Sequence, residues 1–271
     1  LWSAEERALY WVDIRAPAIR RWTSDGNKTT SWTMPDLVGS IALVPRGRLL
    51  VALQSSVAIF DLATETLQTI AAPDSVHADM RCNDGRCDRQ GRFWFGTMNN
   101  LTRAPEGSLY RLDRDRTCTK LFSGIRIPNS LAWSPDGRTM YFADSLTYAI
   151  YRYDFDAATG TPANRRLFAR TTAPAIPDGS CVDAQGCLWN AEYGGWRITR
   201  YAPDGHVDRA IDLPVANPTS CTFGGPDLDI LYVTTATQKL THEERAGQPL
   251  AGTVLAFRPG ITGLPEPFYL D

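Results

Sequence analysis

The chain has 271 residues, with 28 Lys and Arg against 30 Asp and Glu, a formal net charge of −2. Without a basic run or an acidic tail it carries no electrostatic footprint for nucleic acid or an anionic membrane surface, so small, neutral partners are expected. The most apolar stretch, residues 37–60, is cut by Arg46, Arg48 and Gln54, short of the roughly 18 to 20 apolar residues that a membrane helix needs.

Along the chain the dominant feature is a repeat. A turn, glycine or polar residue followed by an apolar–aromatic–apolar run occurs six times. The copies are Ala8-Leu9-Tyr10-Trp11-Val12, Gly47-Arg48-Leu49-Leu50-Val51, Gly91-Arg92-Phe93-Trp94-Phe95, Gly137-Arg138-Thr139-Met140-Tyr141-Phe142, Gly186-Cys187-Leu188-Trp189 and Asp229-Ile230-Leu231-Tyr232-Val233. With Tyr10, Leu50, Trp94, Tyr141, Trp189 and Tyr232 as equivalents, the intervals are 40, 44, 47, 48 and 43 residues. A second segment with period-two alternation follows several copies, as in Ser108–Leu112, Ile150–Asp154, Arg197–Tyr201 and Thr253–Phe257, the pattern of a strand with one buried face. Turn signals such as Ser24-Asp25-Gly26, Pro203-Asp204-Gly205 and Arg258-Pro259-Gly260 punctuate the repeats.

About four short strands per repeat of this length make a propeller blade. The sequence therefore predicts an all-β chain, a six-bladed β-propeller with four-stranded antiparallel blades, as one domain over residues 1–271. A set of βα units is excluded because no interval carries a helical period of ten or more residues; Thr241–Arg245 is the one short helical candidate. The ring needs a closing strand. Because the first copy starts about nine residues in, that strand is expected upstream of Leu1. The repeated aromatic residues read as core packing, not as a carbohydrate-stacking platform.

Six cysteines form no C-x-x-C pair, and of the three histidines only His77 is near one of them, so a structural zinc site is not expected. Cys181 and Cys187 fall within apolar strand patterns, where a free cysteine behaves as a small hydrophobe. A reducing cytoplasm is the compartment this suggests, although Leu1-Trp2-Ser3 lacks an initiator Met and leaves a preceding leader open.

Eleven or twelve residues before the repeated aromatic lies the start of the innermost strand of each blade. There stand Asn83, Asn129 and Asp178, while the same step before Tyr232 gives Ser220 and Cys221. A carboxylate and amide oxygens at one register are hard donors suited to Ca²⁺, Mg²⁺ or Mn²⁺. Asp84-Gly85 and Asp178-Gly179 also read as ordinary hairpin dipeptides, but the shared register, with Pro128 and Pro177 ahead of two of the three, favours a metal site. Asp136-Gly137 and Asp204-Gly205 fall out of register and read as turns. No G-x-S-x-G, P-loop, G-x-G-x-x-G or H-E-x-x-H motif is present.

Four ordered motifs carry a family resemblance. They are Arg81-Cys82-Asn83-Asp84-Gly85 leading into Gly91–Met98, Asn129–Gly137, Pro177-Asp178-Gly179 through Trp189, and Phe223-Gly224-Gly225-Pro226 before Leu231–Thr234. Over nearly its whole length the chain resembles the senescence-marker-protein, gluconolactonase and luciferin-regenerating-enzyme family, of regucalcin type. The resemblance implies a six-bladed propeller and a lactonase: a gluconolactonase-like hydrolase of a sugar-acid lactone in carbohydrate metabolism, dependent on one divalent metal ion. It implies a Glu, an Asn and an Asp as metal ligands. Asn129 matches the Asn, and Asp178 matches the Asp and is the candidate general base. The Glu is expected just before Leu1, 12 residues ahead of Tyr10 and thus at the common step. Arg81 and Asn83 match the substrate contacts. Asn99-Asn100-Leu101 departs from relatives that place an acidic substrate contact in this loop, so substrate identity does not transfer.

Oxygen ligands leave the metal open among Ca, Mg, Mn, Zn and Fe. For Arg81 a surface or inter-blade ion pair is the alternative role. Two further functions stay in view: a non-catalytic propeller that binds calcium or a protein partner, and a metal-dependent hydrolase of another ester such as an organophosphate. The expected partner is a small-molecule lactone, with the chain a monomer or weak oligomer.

Overall fold

A computed structural model describes residues 1–73 and 78–270; His77 lies outside the described residues. The repeated segments form strands in six antiparallel sheets, each strand pairing with the next in sequence. Five sheets have four strands, and the sixth has three among the described residues. The fold class is a six-bladed β-propeller.

The first strands of the six sheets are Trp2–Ser3, Val38–Val44, Met80–Cys87, Pro128–Trp133, Ile176–Val182 and Pro218–Gly224. The second strands are Ala8–Asp13, Arg48–Leu53, Phe93–Asn99, Thr139–Asp144, Leu188–Tyr193 and Ile230–Thr235. Tyr10, Leu50, Trp94, Tyr141, Trp189 and Tyr232 all lie in second strands and all are buried, as expected of core residues. Second strands are covered on both faces, which is why they read as continuous apolar runs such as Leu49-Leu50-Val51-Ala52. Fourth strands are far more exposed, as in Lys28–Thr33 and Val207–Asp212.

The chain divides into two compact units, Leu1–Leu131 with Pro265–Asp271, and Ala132–Leu264. In the first, Leu50, Ile59, Phe93, Phe95 and Tyr110 share one core cluster. There Phe95 stacks on Phe93 at 5.6 Å and on Tyr110 at 5.4 Å between ring centroids. The C-terminal segment completes this unit: Tyr269 donates its hydroxyl to the Asp113 carbonyl at 2.8 Å, and Arg86 pairs with Glu266 at 2.8 Å. In the second unit Phe168 sits edge-on to Tyr141 at 4.8 Å and to Tyr201 at 6.1 Å, and Trp189 meets Phe223 at 5.8 Å.

Between first and second strands the third and fifth sheets carry the same buried latch, spelled D-x-x-G-x-x-W. Asp183 accepts the backbone N–H groups of Gln185 and Cys187 at 2.9 and 3.0 Å, the Trp189 indole N–H at 2.8 Å and the Arg200 Nε–H at 2.8 Å. Asp88 does the same with the N–H groups of Gln90 and Arg92, the Trp94 indole and the Arg92 Nε–H, at 2.6–3.1 Å. Each carboxylate thus ties its hairpin to the ring of the repeated tryptophan, satisfying donors that burial would otherwise orphan.

Among the described residues the α-helix is His242–Ala246, opened by a capping box between Thr241 and Glu244, besides a single 3-10 turn at Ser145–Thr147. Among the described residues no helix is long and apolar enough to cross a membrane. None of the six cysteines is in a disulfide among the described residues, and Cys181 Sγ lies 3.6 Å from Cys221 Sγ in the second unit's core. Asp136-Gly137 and Asp204-Gly205 occupy turns as expected. Asp84-Gly85 and Asp178-Gly179 do not: both lie inside first strands, which removes the hairpin reading of these dipeptides.

Candidate metal and substrate site

What distinguishes the residues at the common step is a break in strand register. In the third sheet Gly85 pairs with Phe95 but Cys82 pairs with Thr97, so Asn83 and Asp84 together face Gly96. In the fifth, Pro177 pairs with Glu192 and Ser180 with Asn190, so Asp178 and Gly179 together face Ala191. Comparable slips set Gly39 and Thr219 out of the ladder in the second and sixth sheets. A bulge of this kind bends the strand and re-aims the side chains it carries. In the fourth sheet Asn129 precedes Ser130, a buried residue with left-handed backbone at φ 59°, another local departure from regular strand geometry.

In the first unit the structure brings Arg81, Asn83 and Asn129 together. Arg81 is 7% exposed, which removes a surface role. Its Nε–H donates to Asn100 Oδ1 at 2.9 Å, and Nη1 donates to the Cys82 carbonyl and to Asn83 Oδ1, both at 2.8 Å. Asn83 in turn donates through Nδ2 to the Pro128 carbonyl at 2.9 Å and to Asn129 Oδ1 at 3.3 Å. The approach depends on Gly96, where a Cβ would stand 2.2 Å from Pro128 Cβ. The guanidinium is therefore held in one orientation by neutral oxygen acceptors, and it fixes which way the Asn83 amide points.

Asp84 was not singled out by its sequence context as a site residue. Its Oδ2 accepts the Leu131 N–H at 2.9 Å, tying the third sheet's first strand to the segment that carries Asn129. Burial raises the Asp84 carboxyl pKa above its ordinary value, outweighing the Leu131 N–H and the nearby Arg86 charge. Asn100 was also missed as a partner of Arg81. It belongs to the loop that departs from the family pattern, where Asn99 is buried, donates to Glu106 Oε2 at 2.8 Å and accepts the N–H groups of Leu101 and Thr102.

Asp178 lies in the second unit, half-buried in its own bulge. Pro177 restricts the backbone on one side. On the other, a Cβ on Gly179 would stand 2.4 Å from Ser220 Oγ and 2.9 Å from Ser220 Cα, so only glycine fits against the sixth sheet. Ser220 is the residue the register step reached there; Cys221 is core.

The donor chemistry of these residues fits a hard divalent ion. Asn129 presents an amide oxygen, which accepts from Asn83 Nδ2, and Asp178 a carboxylate, both hard oxygen donors. Among the described residues no three His, Cys, Asp or Glu side chains cluster as a ready-made metal site, so amide oxygens would have to contribute.

Residues 1–237 match the family model described as the SMP-30/Gluconolactonase/LRE-like region. The chain belongs to this family. An L-arabinolactonase of Azospirillum brasilense is 39% identical, the alignment covering 97% of this chain and 88% of that one. A 6-deoxy-6-sulfogluconolactonase of Pseudomonas putida is 35% identical over 99% of this chain and 93% of its own. Among solved structures, a calcium-binding protein, regucalcin, from Agrobacterium tumefaciens superposes with a TM-score of 0.94 at 30% identity, covering 99% of this chain and 91% of that one. Family membership bears out the resemblance carried by the four sequence motifs.

Proposed function

We propose that this chain hydrolyses a sugar-acid lactone, an aldonolactone, with one divalent metal ion held by Asn129 and Asp178. The observation that carries the reading is the pair of corresponding bulges, one bearing Asn83 beside Arg81 and Asn129, the other Asp178. Core packing alone has no use for amides and a carboxylate at these register breaks. Relatives named as lactonases supply the substrate class, and the regucalcin described as a calcium-binding protein makes Ca²⁺ the first ion to test.

Lactone hydrolysis adds water to the acyl carbon, breaks the acyl–oxygen bond and leaves a hydroxy acid. When bound, a divalent cation supplies electrophilic polarisation of the lactone carbonyl. Asp178 accepts a proton from the attacking water and returns one to the ring oxygen as it leaves. Arg81 donates to a sugar hydroxyl, and Asn83, whose two N–H groups are already given to Pro128 and Asn129, accepts from one through Oδ1. Arg81 is already held by Asn100 Oδ1 and the Cys82 carbonyl, so little further ordering is needed on binding, and a wrong epimer leaves a buried donor unmatched.

The test is base consumption at constant pH on gluconolactone and pentonolactones. Asp178→Ala should fall about 10²–10⁴-fold, the usual contribution of a positioned acid–base group, with its circular dichroism unchanged. Wild-type turnover in that variant would overturn the assignment.

A further inference from the structure

The fifth sheet breaks the repeat at one position. The residue after the repeated aromatic is Trp11, Val51, Phe95, Phe142 and Val233 in the other sheets, all apolar, but in the fifth it is Asn190. An amide in that column is costly to bury, since Asn190 is 0% exposed, and its Nδ2 hydrogen bonds offset only part of that cost. Its Nδ2 donates to the Asp178 carbonyl at 3.0 Å and to Ser180 Oγ at 2.9 Å. It therefore spans the bulge, bonding on either side of Gly179. A second fully buried side chain acts on the same segment: Ser145, at 0% exposure, donates its hydroxyl to the Pro177 carbonyl at 2.7 Å.

The register slip explains the need. Asp178 and Gly179 face a single residue of the second strand, and Pro177 has no N–H to give the ladder. Backbone pairing alone is weakest where Asp178 must be aimed. Two side-chain donors from outside the strand hold consecutive carbonyls, those of Pro177 and Asp178, and so fix the peptide planes from which the Asp178 side chain projects.

We propose that Ser145 and Asn190 are positioning residues, a two-point clamp on the Pro177–Asp178 backbone that sets the direction of the Asp178 carboxylate. The proposal rests on the reading of Asp178 as ligand and proton acceptor. Partners of this kind around a metal site change affinity or activity by about 10–100-fold when removed.

The test compares Asn190→Leu, Ser145→Ala and Ser145→Thr with wild type by three readouts: kcat and KM on the best lactone, Ca²⁺ affinity by calorimetry, and amide hydrogen exchange at Gly179 and Ser180. The clamp requires Asn190→Leu and Ser145→Ala to lower kcat about 10-fold or more with KM within about twofold. It also requires Ca²⁺ binding to weaken about 10-fold, exchange at the two amides to quicken, and Ser145→Thr, which keeps the hydroxyl, to restore all three. Unchanged kcat, Ca²⁺ affinity and exchange in both donor-less variants would overturn it, as would losses that follow thermal stability and are not rescued by Ser145→Thr. If wild type turns over no lactone, the functional reading fails by itself, and unaltered exchange at Gly179 and Ser180 would then dispose of the clamp separately.

Discussion

Removing the Asp183 carboxylate should be among the most damaging single substitutions in the second unit. The side chain is 0% exposed and its partner Arg200 only 4%. Asp183→Ala deprives two backbone N–H groups, the Trp189 indole and the Arg200 guanidinium of their acceptor at once. Arg200 keeps Asp208 and Gln185, which limits the penalty on the charge itself. Breaking a buried pair from one side costs about 3–5 kcal/mol. At about 2–4 °C per kcal/mol for a chain of this size, the melting temperature should drop by roughly 6–20 °C. Thermal unfolding followed by circular dichroism measures it. Asp88→Ala should give a similar loss, because Asp88 makes the same four contacts in the third sheet. Asp204→Ala, at a side chain 72% exposed, should stay within about 0.5 kcal/mol. Drops below about 3 °C for both latch variants would refute the reasoning that these carboxylates hold their hairpins to the repeated tryptophan.

Gly179→Ala places a methyl within 2.9 Å of Ser220 Cα, a backbone atom that does not yield cheaply; overpacking of this kind costs about 1–3 kcal/mol. Because the shift falls next to Asp178, lactone turnover should drop more than stability does, as read by kcat against melting temperature. Thiol labelling offers a separate check on packing: burial pushes the Cys87 thiol well above its ordinary pKa, whereas Cys118 is half-buried. Mass spectrometry after maleimide treatment at pH 8 should find Cys118 modified first and Cys87 unmodified until denaturant is added.

The propeller was legible because its information is periodic. Tyr10, Leu50, Trp94, Tyr141, Trp189 and Tyr232 recur at blade spacing, and every one falls in a second strand. The candidate site was legible only as a register, since stepping back from those aromatics reaches Asn83, Asn129 and Asp178 without revealing how the strand carries them. The bulges depend on pairing with the second strand, and no residue type announces them; Asp84-Gly85 and Asp178-Gly179 even imitate hairpin turns. Asn100 escaped notice because it lies 19 residues from Arg81 and meets it only across a hairpin. Other signals were present and unread. Asp88 and Asp183 each stand three residues before the glycine of their repeat, and Asn190 is the one polar residue in an otherwise apolar column.

The central claim, metal-dependent hydrolysis of a sugar-acid lactone, is tested most directly by base consumption at constant pH against a panel of hexono- and pentonolactones. The protein is assayed as purified, after chelation, and after return of Ca²⁺, Mg²⁺, Mn²⁺ or Zn²⁺. Turnover well above the spontaneous rate, lost on chelation and restored by at least one ion, is the expected result. Silence across the panel from a folded protein that still binds metal would contradict the account and make the chain a binding propeller.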